Sequence, residues 1–395
     1  MKKYGCILLI FCFHLMVFSQ KPTEKKADLL FEKKSYLKAA AMYEKLEENQ
    51  NTLQNLGDCY YNNAMMKDAA RVYGKLYLIY KDKIDKEYYY KYAQALLGTA
   101  DQEKADEIMS EYLGYNVSTP KFIANLVANV PYNYEVQTMA VKTSNGDFGM
   151  SFYGDKVVFA SYRNGNSKEF GWNNKPYLDL YSAELDEKQM LTKVTPFPSE
   201  INTKTHESNA TFSQDGRIMY FNRTNEKMIK IGKEKVANIK IFKAEFVDGK
   251  WTNIKALPFC SDEFSTEHPV LSKDGKKLYF SSDMPGTLGS FDIFVVDVNE
   301  DGTFGTPVNM GNAINTIHRE QFPEISNDGT VLYFASDGHQ GIGGLDIFMS
   351  KSYDGVFAKP INLGATINGG ADDFAYVVDE KKNKGYFSSN RKSSD

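Results

Sequence analysis

All four histidines beyond the first twenty residues, His206, His268, His318 and His339, fall in the second half of the 395-residue chain. Three stand close to the start of an expected strand, and acids recur beside them. Fourteen residues before each of Phe221, Phe280, Phe334 and Phe387 lie Glu207, Thr266 (followed by Glu267), Glu320 and Asp373, while Asp147 precedes Phe159 at a shorter spacing. If those strand starts converge, Asp147, Glu207, Glu267, Glu320 and Asp373, with His268 among them, ring one channel mouth. Such a ring could hold a cation, hard where carboxylates dominate. No H-x-x-x-H or H-E-x-x-H spacing marks a preformed metal site. An acid at a strand start commonly accepts backbone N–H groups from a tight turn, so a structural role is the expectation, with no metal ligand, cofactor site or catalytic residue assigned. Mutual repulsion should still make the mouth electronegative and raise some of the pKa values.

Other patterns carry less chemistry. Asp179, Asp292 and Asp346 recur before aliphatic–aromatic pairs, whereas catalysis needs carboxylates in different environments. They are expected to bond the preceding turn, with Ser281-Ser282 and Ala335-Ser336 as partners. The glycine-rich run Asp337–Gly344 lies between strands, and a phosphate cradle requires a following helix. No G-x-S-x-G provides a nucleophile elbow.

The elements that must position these groups come in two textures. Residues 23–113 have apolar positions recurring at three and four with no proline, which predicts helices. Ala27, Ala39 and Tyr43 repeat as Gly57, Ala69 and Tyr73, and again as Ala93, Ala105 and Met109, in steps of 30 and 36 residues. Small residues at that spacing let paired helices approach, and the larger ones fill the seam to the next pair. The concave side would present Gln54, Asp58, Tyr61, Tyr90 and Gln94 to an extended peptide or a partner's helix.

Beyond Pro131 short β-branched and aromatic runs alternate with Asp-Gly turns. The closing phenylalanines, from Phe159 to Phe387, are 62, 59, 54 and 53 residues apart. That spacing suits the four-stranded blades of a β-propeller. Asp215-Gly216, Asp274-Gly275 and Asp328-Gly329 should turn between inner strands. Tyr279-Phe280 and Tyr333-Phe334 should each put one ring into a blade interface.

The helical repeat resembles the tetratricopeptide repeat, and residues 132–395 resemble the TolB-like, WD40-like propellers. Their order is similar to that of OmpA-family envelope proteins of Bacteroidota, including the PorE-like component of type IX secretion. The resemblance implies a multidomain chain, α then all-β: a signal peptide (1–19), a helical repeat domain (20–130) and a propeller (131–395) incomplete in its last blade. It also implies a non-enzymatic periplasmic scaffold, peripheral to the outer membrane, with protein partners in the envelope and a place in secretion or gliding machinery. Peptidoglycan would be bound only through a domain absent from this chain. The alternative is a propeller that gates or assists a hydrolase or glycan-active enzyme.

Composition fits this reading. A hydrophobic share of 42% and a charged share of 25% are those of a globular chain, and a formal charge of −4 without basic blocks argues against nucleic acid. Met1-Lys2-Lys3, the apolar run Ile7–Phe18 and Ser19 form a secretory signal too short to remain as a membrane span. Cys6 and Cys12 do not sit as lipidated cysteines do, and Cys59 and Cys260 fall in different domains, so no disulfide is expected. The mature protein should begin at Gln20; the intact mass of exported protein checks this, and a diacylglyceryl mass on a cysteine would overturn it.

Overall fold

A computed structural model describes residues 23–391 apart from 131–132, 140–145, 166–167, 226–227 and 232–233. The expected signal segment, its expected cleavage site and Pro131 lie outside the described residues. The helical half has three hairpins: α1 (Glu24–Glu32) with α2 (Tyr36–Tyr43), α3 (Gln50–Tyr61) with α4 (Met66–Tyr80), and α5 (Lys86–Leu97) with α6 (Gln102–Leu113). A further helix, α7 (Thr119–Asn129), carries Pro120 in its first turn, where its missing N–H costs nothing.

The small residues of the repeat lie in the seams: Ala27, Ala39, Ala69, Ala93 and Ala105 are buried together with Tyr43 and Tyr73. A Cβ on Gly57 would collide with the Tyr73 ring. The repeat also has a polar half. Tyr43 donates its hydroxyl to Asp28 and Tyr73 to Asp58, both at 2.6 Å across a hairpin. In the third hairpin the corresponding residues are Gln94 and Met109, and that bond is missing.

The strands form antiparallel sheets. The first runs β1 (Asp147–Tyr153), β2 (Lys156–Ser161), β3 (Asp179–Leu185), β4 (Leu191–Pro196). The second comprises β5 (Glu207–Phe212), β6 (Ile218–Thr224), β9 (Ile239–Val247) and β10 (Lys250–Ala256), with a small hairpin, β7 (Ile229–Ile231) and β8 (Glu234–Val236), inserted in mid-blade. The third holds β11 (Thr266–Leu271), β12 (Lys277–Ser282), β13 (Asp292–Asp297) and β14 (Val308–Asn309). In the fourth, β15 (Glu320–Ile325) and β16 (Val331–Ser336) precede β17 (Asp346–Tyr353), against which both β18 (Val356–Phe357) and β19 (Ile361–Asn362) pair. The fifth has two described strands, β20 (Asp373–Asp379) and β21 (Lys384–Ser389).

The first strand of each sheet packs on the first strand of the next, and β20 and β21 return to β1. At this closure Gly149 N–H donates to Ser388 Oγ at 3.2 Å, and Phe152 lies 6.1 Å from Tyr386. The result is a propeller-like ring of five sheets. Residues 133–139 form no strand; Tyr134 packs against the core between the fourth and fifth sheets.

Each interface between sheets is an aromatic and aliphatic core. Phe280 packs with Tyr220 of the preceding sheet, and Phe334 with Tyr279. Both rings of each Tyr-Phe pair are therefore buried, not one, because a blade inside a ring has a neighbour on each face. With Phe334 only 1% exposed, Phe334→Ala should cost about 3–5 kcal/mol in chemical denaturation. A loss below about 1 kcal/mol would place that ring at the surface.

Candidate functional site

The five inner strands begin at Asp147, Glu207, Thr266, Glu320 and Asp373, so the ring of strand starts lies where the spacing put it. The carboxylates do not point at one another across an open mouth. Glu207 accepts the N–H of Thr203 at 3.0 Å and its hydroxyl at 2.6 Å. Glu320 takes the same two groups from Thr316, at 2.7 and 2.8 Å, and Asp373 accepts from Gly369 N–H at 2.7 Å. In each case the donor lies four residues upstream, so the acid ties down the turn that delivers the strand. Across the strand pair, Arg163 meets Asp147 at 2.6 Å, Arg223 meets Glu207 at 3.0 Å and Arg391 meets Asp373, while Ser336 donates to Glu320 at 2.7 Å.

The third sheet departs from this pattern. Thr266 occupies the capping position, and Glu267, one residue on, accepts from Gln321 Nε2 at 2.6 Å with His268 Nδ1 3.8 Å away. The expected electronegative ring is thus three acids that hold their own turns, Asp147 paired with Arg163, and Glu267 of different orientation. Burial is the leading cause that pushes the Glu267 and Glu320 carboxyls up to about 7, rather than mutual repulsion. Burial likewise lowers His268 to about 3 and His206 to about 4, which keeps both imidazoles neutral. Among the described residues no three His, Cys, Asp or Glu side chains cluster as a metal site.

Two of the three recurring aspartates bond their preceding turns, whereas Asp179 accepts from the side-chain amide of Asn164 at 2.7 Å. Asp292 accepts from Leu288 N–H at 2.7 Å and Asp346 from Ile342 N–H at 2.5 Å. Their other partners are Asn309 and Asn362, at 2.6 and 2.8 Å, not the serines expected. A second motif escaped the reading of the sequence. Asn202, Asn315 and Asn368 each follow a buried isoleucine and hold the backbone of the third strand at both N–H and C=O, on Leu180, Ile293 and Ile347. The signal was present as Ile-Asn five or six residues before each capping acid.

The helical half docks on the face where the inner strands begin. Tyr90 Oη and Gln94 Nε2 both donate to the carbonyl of Asp337, at 2.9 and 3.1 Å. Tyr90 stacks on His318 at 3.7 Å, and Tyr112 Oη meets His318 Nε2 at 3.1 Å. Trp172 packs edge-on against Tyr36 and donates to Asn62 O at 2.9 Å. Beneath Tyr90, Arg319 and Asp337 form an ion pair at 2.6 Å, and Tyr61 is half-buried beside them. A Cβ on Gly370 would press on the Leu97 carbonyl, so glycine allows the last turn of α5 to sit on the propeller.

This placement corrects the expectation for the concave side. Tyr90 and Gln94, 6% and 4% exposed, are covered by the chain's own propeller. Asp58 is held by Tyr73 and, at 3.1 Å, by Lys91; Gln54 is half-buried. The three consecutive tyrosines separate in direction: Tyr88 faces Tyr73, Tyr89 faces Tyr77 and Tyr90 faces His318.

No family model and no curated protein matches the chain. Solved structures are similar in part. A putative TolB from Agrobacterium tumefaciens shares 17% identity over 64% of this chain and 77% of its own, with a TM-score of 0.35. An endo-arabinase from Bacteroides thetaiotaomicron shares 14% over 66% and 94%, at 0.41. A puromycin-hydrolyzing peptidase of Mycobacterium tuberculosis shares 13% over 60% and 42%, at 0.33. These likenesses concern the propeller-like fold, which rests here on the strand order itself.

Glu320 offers a direct test of burial at a capping acid. Its pKa is raised above that of the unfolded chain, so the folded state binds more protons between pH 4.5 and about 7 and loses stability as pH rises through that window. Relative to wild type, Glu320→Gln should therefore gain stability from pH 4.5 to 7.5, measured by urea unfolding at each pH. A difference that shrinks with rising pH would show that the carboxylate is stabilised in place.

Proposed function

We propose that this chain is a non-enzymatic interaction scaffold of the cell envelope, exported and peripheral to the outer membrane, in which a helical repeat and a propeller act as one body. The observation that carries the reading is the use of the recurring carboxylates: Glu207, Glu320 and Asp373 each hold the turn four residues upstream and so serve the frame. Support also comes from the joint at Asp337, which commits Tyr90 and Gln94 to the propeller. Partner contacts then fall on the outer side of the repeat, where Leu78 and Ile79 of α4 are 84% and 57% exposed. The resemblance to OmpA-family proteins supports the envelope setting, with secretion or gliding machinery as the finer assignment. Among the described residues no helix is long and apolar enough to cross a membrane.

Site-specific photo-crosslinking at Leu78 in the native envelope, followed by mass spectrometry, tests this. A discrete envelope protein should be captured, and adding Ile79→Lys to the same protein should abolish capture while leaving the thermal midpoint unchanged. The reading of the chain as part of a hydrolase instead predicts turnover of chromogenic glycosides or peptides that Glu207→Gln removes. Such turnover would defeat the scaffold.

A further inference from the structure

The axis of the ring holds a cavity of about 50 Å³, enough for a few water-sized groups. Its walls come from the middle of all five inner strands and include no lysine or arginine. Polar atoms nevertheless line it. His268 Nδ1, Asn209 Oδ1 and Ser151 Oγ are buried without a hydrogen-bond partner. Glu324 lines the same cavity, and burial together with the nearby Glu380 charge pushes its carboxyl up to about 8.

The placement of these groups follows from the strand geometry. Asn209 and His268 stand two residues into their strands at β-bulges with positive φ, and Ser151 and Glu324 stand four residues in. The Asn209 carboxamide lies across Gly149, whose missing side chain leaves that space. The His268 ring, 8% exposed, is stacked on Phe322 at 3.6 Å and 22°, which fixes its orientation. The nearest carboxylate, Glu267, is engaged by Gln321 and lies 3.8 Å from Nδ1.

We propose that this axial cavity binds one partly hydrated divalent cation through Glu324, His268, Asn209 and Ser151. A neutral imidazole offers a lone pair, the amide and hydroxyl oxygens are acceptors, and the carboxylate supplies charge. Three oxygens to one nitrogen, with no thiol, select a hard or borderline ion such as Ca²⁺ or Mn²⁺ over a thiophilic one. The cation also suits the company these groups keep: polar atoms without protein partners line an axis that carries no basic side chain, and burying them costs free energy unless a ligand engages them. The site lies deeper than the capped acids where the spacing of the sequence first suggested a cation.

The test uses the chain from Gln20 onward, stripped with chelator and titrated with MnCl2 at pH 8 under electron paramagnetic resonance. One Mn²⁺ per chain should bind, be displaced by CaCl2, and show nitrogen coupling that disappears in His268→Asn. Glu324→Gln should weaken binding by about tenfold or more. Should either variant fail to fold, wild-type protein in millimolar Mn²⁺ or Ca²⁺ should still unfold at a higher temperature than stripped protein. Absence of stoichiometric binding, absence of nitrogen coupling, or affinity unchanged by Glu324→Gln would overturn the proposal and leave the axis to water.

Discussion

A carboxylate at the first residue of an inner strand, closing on the N–H four residues earlier, is the interaction from which the rest of the ring is built. At Glu207, Glu320 and Asp373 it fixes where a strand begins, and therefore which residues reach the axis two and four positions later. Each inner strand then carries a bulge with a positive φ, at Gly149, Asn209, His268, Phe322 and Ala375. Only the first of these is glycine. A side chain held there costs of order 1–3 kcal/mol, and such strain persists only where the surroundings over-determine it. The caps below and the packed interfaces on both sides provide that determination.

The interfaces between sheets repeat one device with shifted partners. A tyrosine of one blade meets a phenylalanine of the next, so every inner pair of aromatics serves two cores at once. Removing one ring therefore loosens a contact between blades as well as within one. On the outer side the Ile-Asn segments add a pseudo-strand: Asn315 and Asn368 hold both backbone groups of the third strand, satisfying polar atoms the short fourth strands leave over.

The joint between the two halves has the same economy. The first two helical hairpins spend an Asp–Tyr bond on themselves, whereas the third, with Gln94 and Met109 in those places, turns its amide outward to the Asp337 carbonyl. Arg319 holds Asp337 from below, so the carbonyl that receives Tyr90 and Gln94 stands on a rigid ion pair. The propeller thereby occupies the stretch of concave surface that a separate helical repeat would offer to a partner.

Much of the frame was legible in the residues themselves. Helical spacing, the small residues at Ala27, Gly57 and Ala93, the Asp-Gly turns and the closing phenylalanines are local signals, and local signals determine element type, repeat length and the residue at which each inner strand starts. Direction and partnership were not legible. That Glu320 caps its own turn, that both Tyr333 and Phe334 are buried, and that Tyr90 reaches His318 depend on what lies across an interface, and residues such as Gln94 and Asp337 are 243 positions apart. The polar groups that line the axial cavity belong to the same class. Ser151, Asn209, His268 and Glu324 come from four different sheets, and only closure of the ring, driven by burial of the aromatic interfaces, brings them to one place.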